Sequence, residues 1–242
     1  MKTKLSELFF HENIEEMPKS FLEAFAVSPL PESDFIELTG EFKRLKNQNE
    51  ISFTDSLIVD AALIQIILRS SKKYVNFCFV EKNKNISLMI HLSDSIISLD
   101  SDDEVYSLEE VQNGGVTVYN LIPSTDLVDF LKEKKNYEVG LGDYVDRITN
   151  MVNTRIVSYE VDDIALFNFN ISKSYSAMWR FFKYVKISFI LFKRIKGSIL
   201  DLEYKKRLGR LSIAMQYCFE TQDPEGKQMS FSNPSDITSL WP

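Results

Sequence analysis

The side chains best suited to acid–base or metal chemistry are two histidines, His11 and His91. His11 lies in an amphipathic stretch near the start of the chain, and His91 lies in a strand-like stretch. Neither has a second histidine at ligand spacing. Such histidines most often occupy surface or core positions. They therefore predict neither a general base nor a metal centre.

The two cysteines, Cys78 and Cys218, each lie in an apolar, strand-like stretch. Activation of a thiolate typically needs a helix start beside a basic group. Neither cysteine has that setting, even if both came together with His91 in the fold. We expect two buried, reduced thiols and no disulfide framework.

Two short segments resemble ligand-binding motifs only superficially. The tract Asp100-Ser-Asp-Asp-Glu104 lacks the glycine and the final glutamate of a calcium loop, so a solvated loop is the better interpretation. Gly140-Leu-Gly142 lacks the third glycine and the preceding apolar strand of a dinucleotide-binding motif. The sequence thus predicts no metal, no cofactor and no enzymatic activity.

Charge is distributed unevenly along the chain, whose formal net charge is −7. The stretch from Asp94 to Glu110 contains seven acids and no base. The stretch from Arg180 to Arg210 contains ten bases and only two acids, Asp201 and Glu203. An acidic and a basic region would steer a protein partner electrostatically, although two solvated faces are the simpler alternative.

Aromatic and basic residues are interleaved in Trp179-Arg-Phe-Phe-Lys-Tyr-Val-Lys186. Such a pattern can stack on the bases of nucleic acid, but the overall acidity of the chain argues against that partner. The alternatives are a core strand with a solvated rim and a protein-binding surface.

The candidate partner contacts come from the acidic tract, this segment and the apolar C-terminal region; they are Asp102, Asp103, Glu104, Trp179, Arg180, Phe231 and Trp241.

Hydrophobic periodicity in the first half predicts helices followed by a small antiparallel sheet and a closing helix. The predicted helices are two short ones before residue 31, one over 35–45, one over 57–68 and one over 127–134. The predicted strands are 74–80, 86–92 and 116–121, with 95–99 as a further candidate and a loop over 100–104.

The second half repeats this plan loosely. The spacing predicts a helix over 143–152, strands over 155–160 and 164–170, and hairpins pairing 186–195 with 198–204 and 211–219 with 228–231. Residues 178–195 satisfy helical and strand periods in part, and strands are favoured there. The chain thus divides into an N-terminal helical segment (1–31) and two α+β halves (32–137 and 138–242), which could also form one continuous domain.

The N-terminal residues and the length of the apolar runs predict a cytoplasmic protein. The basic start resembles a signal peptide, but Glu7, Glu12, Glu15 and Glu16 interrupt any apolar core of such a signal. The longest apolar run, from Leu57 to Leu68, is too short to span a bilayer. We therefore expect no export by that route and no membrane insertion.

The order of features from Ser28 to Lys135 resembles a known family. The segment Ser28-Pro-Leu-Pro-Glu-Ser-Asp-Phe35 leads into a helix, Ser52-Phe-Thr-Asp-Ser-Leu57 opens an apolar helix, and Lys73-Tyr-Val-Asn-Phe-Cys-Phe-Val80 begins a group of strands. A final helix follows Pro123. This order, which covers somewhat under half the chain, is similar to that of the EspG-like cytosolic chaperones of bacterial type VII secretion systems.

The resemblance implies a non-enzymatic chaperone or adaptor that binds a secreted effector or toxin, or the helical partner of one, before export. It also implies a pseudo-twofold repeat of two halves, in a monomer or a dimer. The fold class is α+β, with a mainly antiparallel sheet and flanking helices. The alternative function is an immunity protein in which the acidic stretch from Asp100 to Glu110 blocks the basic active site of a toxin.

Overall fold

The computed structural model describes residues 30–48, 54–96, 100, 102–124, 127–150, 152–192, 208–223, 226–232, 234 and 239–241. The strands are β1 (Ser56–Asp60), β2 (Tyr74–Lys82), β3 (Asn85–Ser93), β4 (Glu104–Asn113), β5 (Val116–Pro123), β6 (Ile156–Glu160), β7 (Phe182–Leu191), β8 (Leu211–Asp223), β9 (Gly226–Phe231) and β10 (Ser239–Trp241). The helices are α1 (Glu32–Gln48), α2 (Ala62–Arg69), α3 (Leu127–Val139), α4 (Leu141–Thr149), α5 (Val161–Ser174) and a 3₁₀ helix (Ser176–Phe181).

All ten strands belong to one sheet, in the order β10-β6-β2-β3-β4-β5-β1-β7-β8-β9. Every neighbouring pair is antiparallel except β1 and β5, which run parallel. The predicted fold class, α+β with a mainly antiparallel sheet and flanking helices, is therefore confirmed. None of the helices in the described residues is both long enough and apolar enough to cross a membrane.

Several predicted elements match the structure closely. The β2–β3 hairpin turns at Asn83 and Lys84, which both have positive φ, as a two-residue turn requires. Helices α1, α3 and α4 and strands β5, β6, β8 and β9 lie where the periodicity predicted them. The two helices predicted before residue 31 lie outside the described residues, as do residues 97–99 of the strand candidate over 95–99, whose first two residues are not in a strand.

The helix predicted over 57–68 is wrong in its first third. Residues Ser56–Asp60 form strand β1, in which Leu57 and Val59 are buried and their neighbours are half-buried. The Asp60 carboxylate then accepts a hydrogen bond of 2.8 Å from the Ala62 backbone N–H and thereby begins α2. A continuous apolar run fits either period, so the sequence could not mark this boundary.

The strand predicted over 164–170 is wrong for a similar reason. These residues lie in α5, which begins directly after β6 with Asp162 and Asp163 in its first turn, where the helix dipole favours acids. The alternating Phe167, Phe169 and Ile171 imitate a strand, yet all three are buried in the helix. A helix buried on most of its surface loses the 3.6-residue pattern.

Two other strand predictions are also corrected. Strand β4 extends from Glu104, the end of the predicted acidic loop, through a stretch for which no strand was predicted. Strand β7 pairs with β1 and β8 rather than with residues 198–204, which lie outside the described residues. Both neighbours of β7 are distant in sequence, and local turn signals carry no information about such pairings.

Strands from the stretches 32–137 and 138–242 are neighbours in the sheet at two places. Strand β1 pairs with β7, and β6 pairs with β2. The junctions make matching hydrogen bonds: the Ala61 N–H donates to the Lys183 carbonyl at 3.0 Å, and the Val161 N–H donates to the Lys73 carbonyl at 2.9 Å. These contacts are what the pseudo-twofold repeat would require. The repeat and the division into two halves stay predictions.

Four aromatic rings link the two halves inside the main core. Phe42 packs on Phe189, Phe189 on Phe79, and Phe79 on Tyr137, with ring centroids 5.6, 5.9 and 5.6 Å apart. All four side chains are fully buried. Because this row joins α1, β7, β2 and α3, it fixes the centre of the sheet against helices from both halves.

Candidate protein-binding site

The 3₁₀ helix forms a corner between α5 and β7. Helix α5 ends at Tyr175, whose φ of −116° and ψ of 31° depart from helical values, and the chain turns through Ser176–Phe181 into β7. None of the residues of the 3₁₀ helix is fully buried, whereas α5 and β7 each contribute several buried residues to the core. The corner therefore presents large side chains at the surface.

A stack of rings anchors this corner in the core. The Trp179 ring lies on Phe182, with centroids 5.1 Å apart, and Phe182 lies on Tyr217, with centroids 4.6 Å apart; both pairs are nearly parallel. Tyr217 is fully buried, whereas Trp179 and Phe182 are half-buried. Beside them Tyr175 stacks on buried Phe219 at 5.3 Å. The exposed rings are thus held rigidly by buried ones.

Arg180 supplies the charge of this aromatic corner, defined here as Tyr175, Met178, Trp179, Arg180, Phe181 and Phe182. Its side chain is exposed, and its guanidinium carbon lies 4.6 Å from the centre of the Phe181 ring. It forms no ion pair with any described residue. The nearby Lys183 ammonium is held by Glu220 at 3.0 Å, a hydrogen bond that raises the pKa of Lys183. Arg180 therefore has free donors for a carboxylate or a carbonyl.

The predicted acidic residues form a different group, and their side chains are largely occupied within the chain. Lys72, which is only 6% exposed, donates from its ammonium to Asp102 at 2.5 Å and to Asp94 at 3.4 Å. The hydrogen bond to Asp102 raises the pKa of Lys72 against the opposing effect of burial, and it lowers the pKa of Asp102. One buried cation is thus shared by Asp94, Asp102 and Asp103.

Asp103 points into the protein. Its carboxylate is fully buried, lies 2.8 Å from Nε2 of His91 and accepts the Asp100 backbone N–H at 2.8 Å. Burial alone would raise the pKa of this carboxyl, but the hydrogen bonds from Asp100 and His91 outweigh it and lower the pKa. Burial lowers the pKa of His91, against the effect of Asp103. The pair ties the start of β4 to β3.

Glu104 is also engaged. Its two carboxylate oxygens accept hydrogen bonds from the Ser70 hydroxyl at 3.0 Å and from the Tyr106 hydroxyl at 2.8 Å. Burial, together with this carboxylate, raises the pKa of Tyr106 to about 12. Asp100, Asp102 and Asp103 offer carboxylate oxygens close enough to share a cation, but the Lys72 ammonium already lies among them. The acidic tract is thus held to Ser70, Lys72 and His91 by hydrogen bonds and ion pairs.

The remaining predicted contacts lie far apart in the sheet order. Phe231 lies on β9, at one end of the sheet, is 39% exposed and pairs with Cys218 of β8. Trp241 lies on β10, at the other end, opposite Ile156. The structure therefore brings together Trp179 with Arg180, and Asp102 with Asp103 and Glu104, but does not unite the seven residues in one surface.

The residues that hold the aromatic corner and the acidic tract in place were not predicted from the sequence. Tyr217 and Phe219 are buried strand residues 35 or more positions away from the 3₁₀ helix, and Lys72 has no distinguishing neighbour in the sequence. The cysteines were predicted correctly: Cys78 and Cys218 are free and buried, and burial raises the pKa of each thiol to about 12. Neither thiol is therefore an activated nucleophile.

No family model, curated protein or solved structure matches this chain. The resemblance to the EspG-like chaperones therefore stays a prediction from the order of elements.

Proposed function

We propose that this chain is a cytoplasmic, non-enzymatic protein that binds a secreted effector or toxin as a chaperone or adaptor, and that the aromatic corner is its binding surface. The observation that carries the proposal is the ring stack of Trp179, Phe182 and Tyr217, which holds half-exposed aromatic side chains beside an arginine that has no ion pair among the described residues. Tryptophan, tyrosine and arginine contribute most of the energy at protein interfaces.

The stack also reduces the entropic cost of binding. Side chains that are mobile in the free protein must be immobilised in a complex, at about 0.5–1.5 kcal/mol each. Trp179 is already fixed against Phe182, so its ring can bury apolar surface of a partner with little further loss of freedom. Arg180 beside it can form a bidentate pair with an acidic side chain of that partner.

The immunity-protein alternative receives less support. It requires carboxylates that are free to enter the basic cleft of a toxin. Asp103 is fully buried, Asp102 is paired with Lys72, and Glu104 accepts two hydrogen bonds. Drawing these acids into a partner would break the interactions that hold β4 against β3 and Ser70.

The test is co-purification of the chain with the products of its neighbouring genes. The most specific variant is Arg180→Glu, because the Arg180 side chain is exposed and a reversal of its charge leaves the ring stack intact. We expect about tenfold weaker binding or more, from the loss of a charge-assisted pair and the addition of a repulsive one. Trp179→Ala should have a similar effect.

Lys132→Glu on the exposed face of α3 is the matched control, with the same change of charge at a distance from the corner. It should bind as the unmodified chain does. Equal binding by Arg180→Glu, Trp179→Ala and the unmodified chain would contradict the proposal. Loss of binding only in Asp102→Asn would favour the immunity alternative.

A further inference from the structure

A small cavity of about 180 Å³ lies between α1 and the strands β1 and β7. Its apolar wall includes Phe35 and the fully buried Phe42 of α1, together with Phe189 of β7. At about 30 Å³ per water molecule, this volume would hold a compact ligand of roughly six to eight non-hydrogen atoms. The cavity shares no residue with the aromatic corner, although both include residues of β7.

Two serine hydroxyls line the cavity without partners. Ser56 and Ser188 are paired directly across the antiparallel strands β1 and β7, so their side chains lie on the same face of the sheet. Ser188 is only 3% exposed, and neither hydroxyl makes a hydrogen bond to a described residue. Ser56 is half-buried, and both hydroxyls are donors available to a ligand.

The Thr39 hydroxyl, which also lines the cavity, differs in this respect. It donates along its own helix to the Phe35 and Ile36 carbonyls, at 2.8 and 3.0 Å. The hydroxyl donors that remain available to a ligand are therefore those of Ser56 and Ser188.

Positive charge surrounds these hydroxyls. Lys43 of α1 and Lys186 of β7 both line the cavity, and neither forms an ion pair within the part of the chain that the structure describes. The Lys186 ammonium lies 4.8 Å from the centre of the Phe231 ring, a contact that leaves its charge uncompensated. The Asp55 carboxylate also lines the cavity, but Lys46 holds it at 3.0 Å.

We propose that this cavity binds a small carboxylate. The carboxylate accepts hydrogen bonds from Ser56 and Ser188 and pairs with Lys43 and Lys186, while a short branched apolar group packs against Phe35 and Phe42. A carboxylate suits the site better than phosphate, because one side of the cavity is aromatic and would leave a tetrahedral dianion partly unpaired. The source is either a free carboxylic acid or the C-terminal carboxylate of a polypeptide with a small apolar last residue.

Titration of the full chain with isovalerate, followed by proton–nitrogen correlation spectra, tests this site. We expect saturable shifts at residues 39–43, 55–58 and 186–189, and none of them with the neutral isovaleramide or isoamyl alcohol. Shifts that are equal for the acid and the amide would overturn the proposal. So would the absence of shifts at 186–189 with every carboxylate up to its solubility limit.

Variants that remove charge make the test specific. Lys43→Gln and Lys186→Gln should each weaken isovalerate binding by about tenfold, the effect of one charge-assisted hydrogen bond. Ser188→Ala should weaken it less, since a neutral donor contributes less than a charged one. Lys132→Gln on α3 is the control and should bind as the unmodified chain does. Unchanged binding in both cavity variants would contradict the assignment.

A short peptide that ends in valine, with a free or amidated C-terminus, distinguishes the two sources. Binding of the free peptide but not the amidated one, at lower concentration than isovalerate, identifies a polypeptide C-terminus. Binding of isovalerate alone identifies a free acid. Both outcomes support the site and are independent of the aromatic corner, since none of these probes requires Trp179 or Arg180.

Discussion

At the scale of single residues, the structure assigns opposite roles to the two groups of charged side chains that the sequence singled out. Arg180 is exposed and unpaired among the described residues, whereas Asp102 and Asp103 are bound to Lys72 and His91. The residue types alone did not distinguish these roles. The buried side chains of Lys72 and His91 determine the role of the acids, and the positions of these two side chains depend on strand pairings across the sheet.

The His91–Asp103 pair makes stability depend on pH. Burial lowers the pKa of His91 below its ordinary value of 6.5, so the unfolded chain binds the proton more readily than the folded one. This contribution to stability is complete above pH 6.5 and is lost as the pH falls from 6.5 through the lower pKa of the folded state. We expect the urea midpoint of unfolding to fall between about pH 7.5 and pH 5.5.

His91→Gln, which keeps a donor for Asp103, should remove most of this pH dependence. It should also lower stability at neutral pH by about 1–3 kcal/mol, since it disturbs a buried hydrogen-bonded site. A midpoint that is equal at the two pH values, or that falls equally in the variant, would contradict this account.

At the scale of elements, the sequence predicted those that have local boundary signals and failed where an apolar run has none. The β2–β3 hairpin, with its polar turn at Asn83 and Lys84, and α1 were predicted to within a few residues, although β2 and β3 are buried on both faces. Strand β1 is joined to α2 within one apolar run, and α5 is buried on much of its surface, so the period of each is ambiguous. The 3₁₀ helix at the aromatic corner lay in the one stretch where both periods were partly satisfied.

Two helix glycines offer a matched test of these elements. A Cβ at Gly40 of α1 would meet no atom within 4 Å, whereas at Gly142 of α4 it would lie 2.7 Å from the Tyr137 carbonyl oxygen and 2.9 Å from Nη1 of Arg155. Gly40→Ala should therefore stabilise the protein by up to about 1 kcal/mol, because glycine is costly inside a helix. Gly142→Ala should destabilise it by about 1–3 kcal/mol through overpacking.

Urea unfolding followed by circular dichroism measures both changes. A Gly142→Ala variant as stable as the unmodified protein would show that α4 does not pack as closely on Arg155 and Tyr137 as described. A destabilised Gly40→Ala variant would show that α1 is covered on its outer face.

At the scale of the whole molecule, the sheet is continuous because β1 pairs with β7 and β6 pairs with β2. No local pattern in the sequence predicts that β1 pairs with β7 or β6 with β2, because such pairings depend on burial across the whole chain. The predicted fold class was correct because it needs only the inventory of elements. The candidate site could be predicted only in part, since Trp179 and Arg180 are sequence neighbours but Tyr217 joins them through the sheet.

Amide hydrogen exchange tests whether the aromatic corner binds the partner, by comparing the chain alone with the chain bound to a secreted protein that co-purifies with it. We expect residues 175–183 to become strongly protected in the complex and residues 102–110 to exchange as they do in the free chain. Protection of 102–110 with no change at 175–183 would contradict it and would assign partner binding to the acidic tract.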